Sequence, residues 1–199
     1  MIRLDHIAFR VKDRHQTANW LQKRWGLKVQ SEFEITHKDG SKTKCLALEP
    51  INKKENCPWI GNFTSLAAEY HLPPEVFVSS SDDPNSMVYQ WVKQRDNIGG
   101  IHHLALQVPN VYETMTEWKE DGIKFTTEQP LTCEEDGLTQ IFSEPIPWLG
   151  HIIELITRTG QGFCAANVGD LMESTKHLSE KKIEIDHDAI EQIKSMESY

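Results

Sequence analysis

Apolar and polar positions along the chain trace an ordered series of elements, and the series occurs twice. Residues 2–11 alternate between apolar and polar, which predicts a strand. Residues 13–25, with Asp13 placed to cap the N-terminus and Gly26 placed to stop the run, predict a helix. Residues 27–37 and 42–50 predict two strands, joined across His37-Lys38-Asp39-Gly40-Ser41, whose Asp-Gly pair marks a hairpin turn. Val76-Phe77-Val78 predicts a fourth strand and residues 82–97 a linking helix. The second series runs as strand 101–108, helix 110–121, and strands 123–130, 138–144 and 151–157. Residues 166–181 and 186–198 predict terminal helices.

Both series are β-α-β-β-β, and particular residues recur between them. His6-Ile7-Ala8-Phe9-Arg10-Val11 is answered 97 positions later by His103-Leu104-Ala105-Leu106-Gln107-Val108. Trp20 answers Trp118, Gly26-Leu27-Lys28-Val29 answers Gly122-Ile123-Lys124-Phe125, and Glu49-Pro50-Ile51 answers Glu144-Pro145-Ile146. Four matches in one order at nearly constant spacing indicate two copies of one unit. The expected organisation is a first module over 1–100, including a long loop at 52–74 and the linking helix, a second module over 101–160, and a helical gate or tail over 161–199. The fold class is α+β, two modules forming one cupped mixed sheet.

Composition narrows the partners. The 199 residues are 38% hydrophobic and 26% charged with a net charge of −9, which is the balance of a globular chain and not of a nucleic-acid binder. No apolar run reaches the ~20 residues that span a bilayer. The first residues show no signal-peptide pattern, and the four cysteines form no CxxC pair. The expectation is therefore a cytoplasmic protein with reduced thiols, without nucleic-acid or membrane partners, and with a homodimer left open.

Candidate chemistry follows from the repeat. Strand side chains alternate faces, so His6, Ala8 and Arg10 share one face, and His103, Ala105 and Gln107 share the equivalent one. The apolar alternates pack on the helices, which turns the two His faces into the concavity. His102 occupies the position of Asp5 and is expected on the opposite face from His103, in a supporting or structural role. His15, His37, His71, His151, His177 and His187 are expected to be solvated. Glu154 is a lone carboxylate inside the apolar strand Ile152–Ile156 and needs a partner there. His6, His103 and Glu154 together make a two-His, one-carboxylate set, the donor type of non-haem Fe(II) sites with open positions. The repeat aligns Glu154 with Phe77, which cannot ligate and leaves three protein ligands. A slip of two residues puts Glu75 there instead and gives four.

These residues resemble the vicinal-oxygen-chelate superfamily (glyoxalase, bleomycin-resistance and extradiol dioxygenase proteins) over roughly residues 2–158. Three stretches of the second half also resemble the iron-binding half of 4-hydroxyphenylpyruvate dioxygenases. They are Asp136-Gly137 with Gln140-Ile141-Phe142-Ser143-Glu144-Pro145, then Glu154-Leu155-Ile156-Thr157-Arg158 with Gly160 to Phe163, and Asn167 with Leu171-Met172. The resemblance implies His6, His103 and Glu154 as iron ligands and catalytic centre, Gln140 and Phe163 in the substrate pocket, and a gating helix from about 166. It further implies oxidative decarboxylation of a 2-oxo acid with O₂. Arg10 and Gln107, on the two histidine faces, and Phe77, opposite Glu154 in the repeat, are expected as additional pocket residues. That family has a longer chain and a larger insertion before its last two strands.

Two other functions stay open. One is a non-redox epimerase, isomerase or glyoxalase-type lyase that uses Co, Mn, Ni or Zn, with Glu75 or Glu154 as base. The other is a metal-free module that binds a small molecule.

Overall fold

A computed structural model describes residues 2–51, 75–135, 137–159 and 165–180. Their strands form one curled mixed sheet of eight, in the order β2-β3-β4-β1-β5-β8-β7-β6. The first module comprises β1 (Arg3–Arg10), α1 (Arg14–Trp25), β2 (Leu27–Thr36), β3 (Lys42–Pro50) and β4 (Glu75–Ser80). Helix α2 (Met87–Gln94) links it to β5 (Gly100–Gln107), α3 (Val111–Glu120), β6 (Leu131–Cys133), β7 (Leu138–Phe142) and β8 (Ile152–Arg158). Helices α4 (Ala165–Ser174) and α5 (Lys176–Glu180) follow. In each module the first strand pairs in parallel with the last, β1 with β4 and β5 with β8. The modules join where β1 and β5 run antiparallel at the centre of the sheet. Among the described residues no helix is long and apolar enough to cross a membrane.

Local chemistry explains the elements. Asp13 accepts from the backbone N–H groups of His15 and Gln16 to cap α1, and Gly26 ends it at a left-handed φ of 66°. Asn110 caps α3 in the same way. Each module then buries its own apolar face against its own helix. Leu21 of α1 packs with Val11, Leu46, Leu48, Val76 and Val78, and Val111 and Met115 of α3 pack with Val108, Ile141, Ile153 and Leu155. Two cores on one face of the sheet leave the other face to form a concavity.

Several expectations differ from the fold. Residues 123–130 form no strand. Phe125 makes a single bridge to Ser143, and regular pairing begins only after Pro130, which has no N–H to give a ladder. The short strand 131–133 was not anticipated. The linking helix starts at Met87, after Pro84, with Ser86 as its cap. The run 166–181 is two helices, because the Thr175 N–H and hydroxyl both donate to the Met172 carbonyl. The loop 52–74, the helix at 186–198, Cys57 and Cys164 lie outside the described residues, while Cys45 is a buried free thiol.

Gly99 brings the chain between α2 and β5 against β1. A Cβ there would stand 2.9 Å from Val11 Cγ1 and 3.0 Å from the Arg10 carbonyl. Gly99→Ala is expected to cost about 1–3 kcal/mol of stability through this overpacking, read as a lowered urea midpoint with an unchanged m-value.

Candidate metal centre

Three side chains converge where β1, β5 and β8 lie side by side. His6 Nε2, His103 Nε2 and Glu154 Oε2 are each 3.2 Å from the other two. Donors about 2.1 Å from a shared ion lie about 3.0 Å apart at right angles and about 3.4 Å apart at tetrahedral angles. The observed triangle falls between these values, so the donor set and its spacing fit a divalent metal. His6 is 3% exposed and Glu154 2%. Glu75 is not part of this cluster.

The register shows why three donors meet and a fourth does not. Across the parallel pairs, His6 faces Glu75 and Ala8 faces Phe77, while His103 faces Ile152 and Ala105 faces Glu154. Phe77 therefore holds the position in the first module that Glu154 holds in the second. Its ring meets His6 edge-on at 4.9 Å.

Each imidazole is oriented from behind by the residue before it. The β1–β5 register slips between Leu4 and His6, and again opposite His102, so Asp5 and His102 are the extra residues of two β-bulges. They are repeat equivalents, 97 positions apart. Strict alternation would turn both away, but the bulges re-aim them. Asp5 accepts from His6 Nδ1 at 2.8 Å, which leaves Nε2 directed at the cluster. His102 Nδ1 lies 2.9 Å from His103 Nδ1. The expectation that His102 faces away from His103 is thus overturned. Asp5, 0% exposed, also pairs with Arg158 at 2.8 Å. Nothing in the residue types marked Asp5, and the one signal for it was its equivalence to His102.

Around the triad, Gln140 donates from Nε2 to Glu154 Oε1 at 2.8 Å, and Asn167 reaches Gln140 Oε1 at 3.5 Å. Phe33, Phe77, Phe142, Val168, Leu171 and Met172 form the apolar wall of a cavity of about 540 Å³ including its mouth. Arg10 lines the same cavity. Of the expected pocket residues, Gln140, Arg10 and Phe77 are thus placed together. Gln107 is not, because its amide oxygen is taken by the Arg3 guanidinium at the far end of β5. Phe163 lies outside the described residues. His37, expected in solvent, is buried and bonded to Thr43 at 2.8 Å.

The charges are strongly coupled. Burial pulls the His6 pKa down, but the Glu154 and Asp5 carboxylates outweigh it and raise it to about 9. Burial raises Glu154, and the two imidazoles overcome this to hold it well below the usual carboxylate range. Burial lowers His103, and Glu154 offsets this only in part. Burial, with Arg10 and His103, keeps His102 neutral.

Comparison with known proteins places the fold. Residues 5–139 match the family model of the Glyoxalase/Bleomycin resistance protein/Dioxygenase superfamily. The chain belongs to that superfamily. No curated protein matches the sequence. Among solved structures, a mutant of 4-hydroxymandelate synthase from Streptomyces coelicolor superposes with a TM-score of 0.69 at 19% identity. That match covers 90% of this chain and 56% of the synthase, so the chain spans little more than half of that enzyme. Methylmalonyl-CoA epimerase from Mycobacterium tuberculosis superposes at 0.54 with 17% identity, over 78% of this chain and 87% of the epimerase. The Streptomyces coelicolor epimerase in complex with 2-nitronate-propionyl-CoA gives 0.54 at 19% identity, over 79% and 98%. These likenesses show that the superfamily fold is shared.

In the metal-free protein the His6 ring is expected to titrate near pH 9, observed as a histidine NMR resonance that disappears in His6→Gln. Because its pKa is raised on folding, the stabilisation it provides is complete below about pH 6.5 and declines as the pH rises through 9. A His6 titration near 6.5 would contradict the coupling.

Proposed function

We propose that this chain is a non-haem Fe(II) dioxygenase that takes a 2-oxo acid, or a similar chelating substrate, and O₂. The observation that carries the reading is the donor set itself. Two imidazoles and one carboxylate converge, and the symmetric fourth position is filled by a phenylalanine. A ferrous ion held by His6, His103 and Glu154 supplies the one-electron chemistry that O₂ requires, together with open positions for substrate.

The chain's own groups serve that chemistry in definite ways. Asp5 fixes the His6 tautomer, so that loading with metal displaces only the Nε2 proton. Gln140 holds Glu154 through Oε1 and leaves Oε2 directed at the site. Phe33, Phe77 and Phe142 with the α4 side chains Val168, Leu171 and Met172 keep the cavity apolar and limit water around the reacting atoms. An epimerase or lyase reading needs a further base beside the metal. Among the described residues the only carboxylate lining the cavity is Glu154, which the metal would engage. Epimerases among the similar structures share only the fold with this chain.

The test is O₂ uptake and CO₂ release by protein purified without oxygen and loaded with Fe(II), offered 4-hydroxyphenylpyruvate and aliphatic 2-oxo acids. Uptake coupled to CO₂ release is expected with at least one acid, and silence across the panel overturns the reading. Glu154→Gln keeps the shape and removes the charge that balances the metal. It is expected to abolish iron binding while the far-UV circular dichroism is retained. Asp5→Asn is expected to weaken metal affinity by about 10–100-fold, measured by competition with a chelating dye.

A further inference from the structure

Among the described residues, Arg10 is a buried cation with no counter-ion. It is 2% exposed and lines the same cavity as the three donors. Its Nη2 donates to Thr175 Oγ1 at 3.4 Å, and its Nη1 has no partner among the described residues. No carboxylate of the described residues pairs with it, and the neighbouring Cys45 thiol is kept neutral by burial, which pushes its pKa up to about 11. Around it stand other neutral or positive groups, namely Ser79, bonded to Cys45 at 3.1 Å, then His102 and His103. An isolated guanidinium in such a place is costly unless a ligand completes it.

A charge count points the same way. In the metal-loaded site the ion contributes two positive charges and Arg10 one, while Glu154 contributes one negative charge and neutral imidazoles none. Asp5 and Arg158 cancel. A monoanionic 2-oxo acid leaves a positive charge uncompensated inside the protein, and a dianion neutralises it.

We infer that the substrate is a 2-oxo acid bearing a second anionic group at its far end, and that Arg10 binds that group. This rests on the metal reading above and names its substrate class. Arg10 follows His6 by four residues, about 13 Å along a strand, and Ala8, Phe33 and Phe77 lie in the wall they share. The ligand is therefore bipolar. Its oxo-acid end lies at the His6–His103–Glu154 corner, an apolar chain runs past Phe77, and a carboxylate or phosphate ends at Nη1, where a guanidinium can donate two parallel bonds. A carboxylate differs from a phosphate here only in charge and size, and a phosphonate probe separates them.

The experiment is calorimetric titration of the Mn(II)-loaded chain, which is competent to bind without turning over. Matched pairs differ only at the far end, 2-oxoadipate against 2-oxohexanoate and 2-oxoglutarate against 2-oxopentanoate, and 2-oxo-5-phosphonopentanoate is added. The wild-type protein is expected to bind the dianion of at least one pair about tenfold more tightly or better. Arg10→Gln is expected to remove that preference without changing Mn(II) content, and Arg10→Lys to keep part of it. Equal affinity within every pair for the wild-type protein overturns the inference, and that comparison does not depend on how any variant folds. A preference that survives in folded Arg10→Gln also overturns it. If the protein takes up no metal, the metal reading fails separately. The anchor is then read from metal-free protein with adipate against hexanoate, where binding lost in Arg10→Gln sustains it and no preference for adipate overturns it.

Discussion

Glu154 is a carboxylate at 2% exposure in a strand whose neighbours Ile153 and Leu155 pack into the second core. A charge placed there costs several kcal/mol unless partners surround it. Two imidazoles at 3.2 Å and the Gln140 amide at 2.8 Å supply them. Much of the concave face is arranged around that requirement. Asp5 and His102 orient the imidazoles, Arg158 balances Asp5, and Asn167 on α4 reaches back to Gln140. The arrangement fits a divalent metal ion, since the same three atoms stand at coordination spacing.

A duplicated unit produces an asymmetric site through a few substitutions. Both modules place a histidine on their first strand with a bulge just before it. They diverge at two equivalent pairs. The bulged residue is Asp5 in one module and His102 in the other, and the last strand carries Phe77 in one and Glu154 in the other. One exchange sets how each ring is oriented, and the other sets the number of converging donor side chains at three. Arg10 against Gln107 is a third divergence. The arginine has no counter-ion among the described residues, while the glutamine is engaged by Arg3 at the end of its strand.

Much of this was legible because it is periodic. Strand alternation placed His6 and His103 on the concave face, Glu154 stood out as a lone carboxylate in an apolar strand, and the repeat aligned Phe77 with Glu154 as the register later shows. What escaped the sequence was aperiodic. A bulge breaks the period of two that the reading of His102 relied on, and no residue type announces it. Residues 123–130 look like a strand by composition, yet Pro130 delays regular pairing to 131–133. His37 opens a turn segment and was therefore expected in solvent, but Thr43 and the packing of α4 on β2 bury it.

The central claim is that one histidine from each half of the chain binds the same ion. Pulsed EPR of the Cu(II)-loaded full-length protein tests it directly, because the remote nitrogen of each coordinated imidazole modulates the echo. The account predicts modulation from two imidazoles, falling to one in His6→Gln and to one in His103→Gln. Modulation from a single imidazole in the wild-type protein, or a two-imidazole pattern unchanged in either variant, would contradict it.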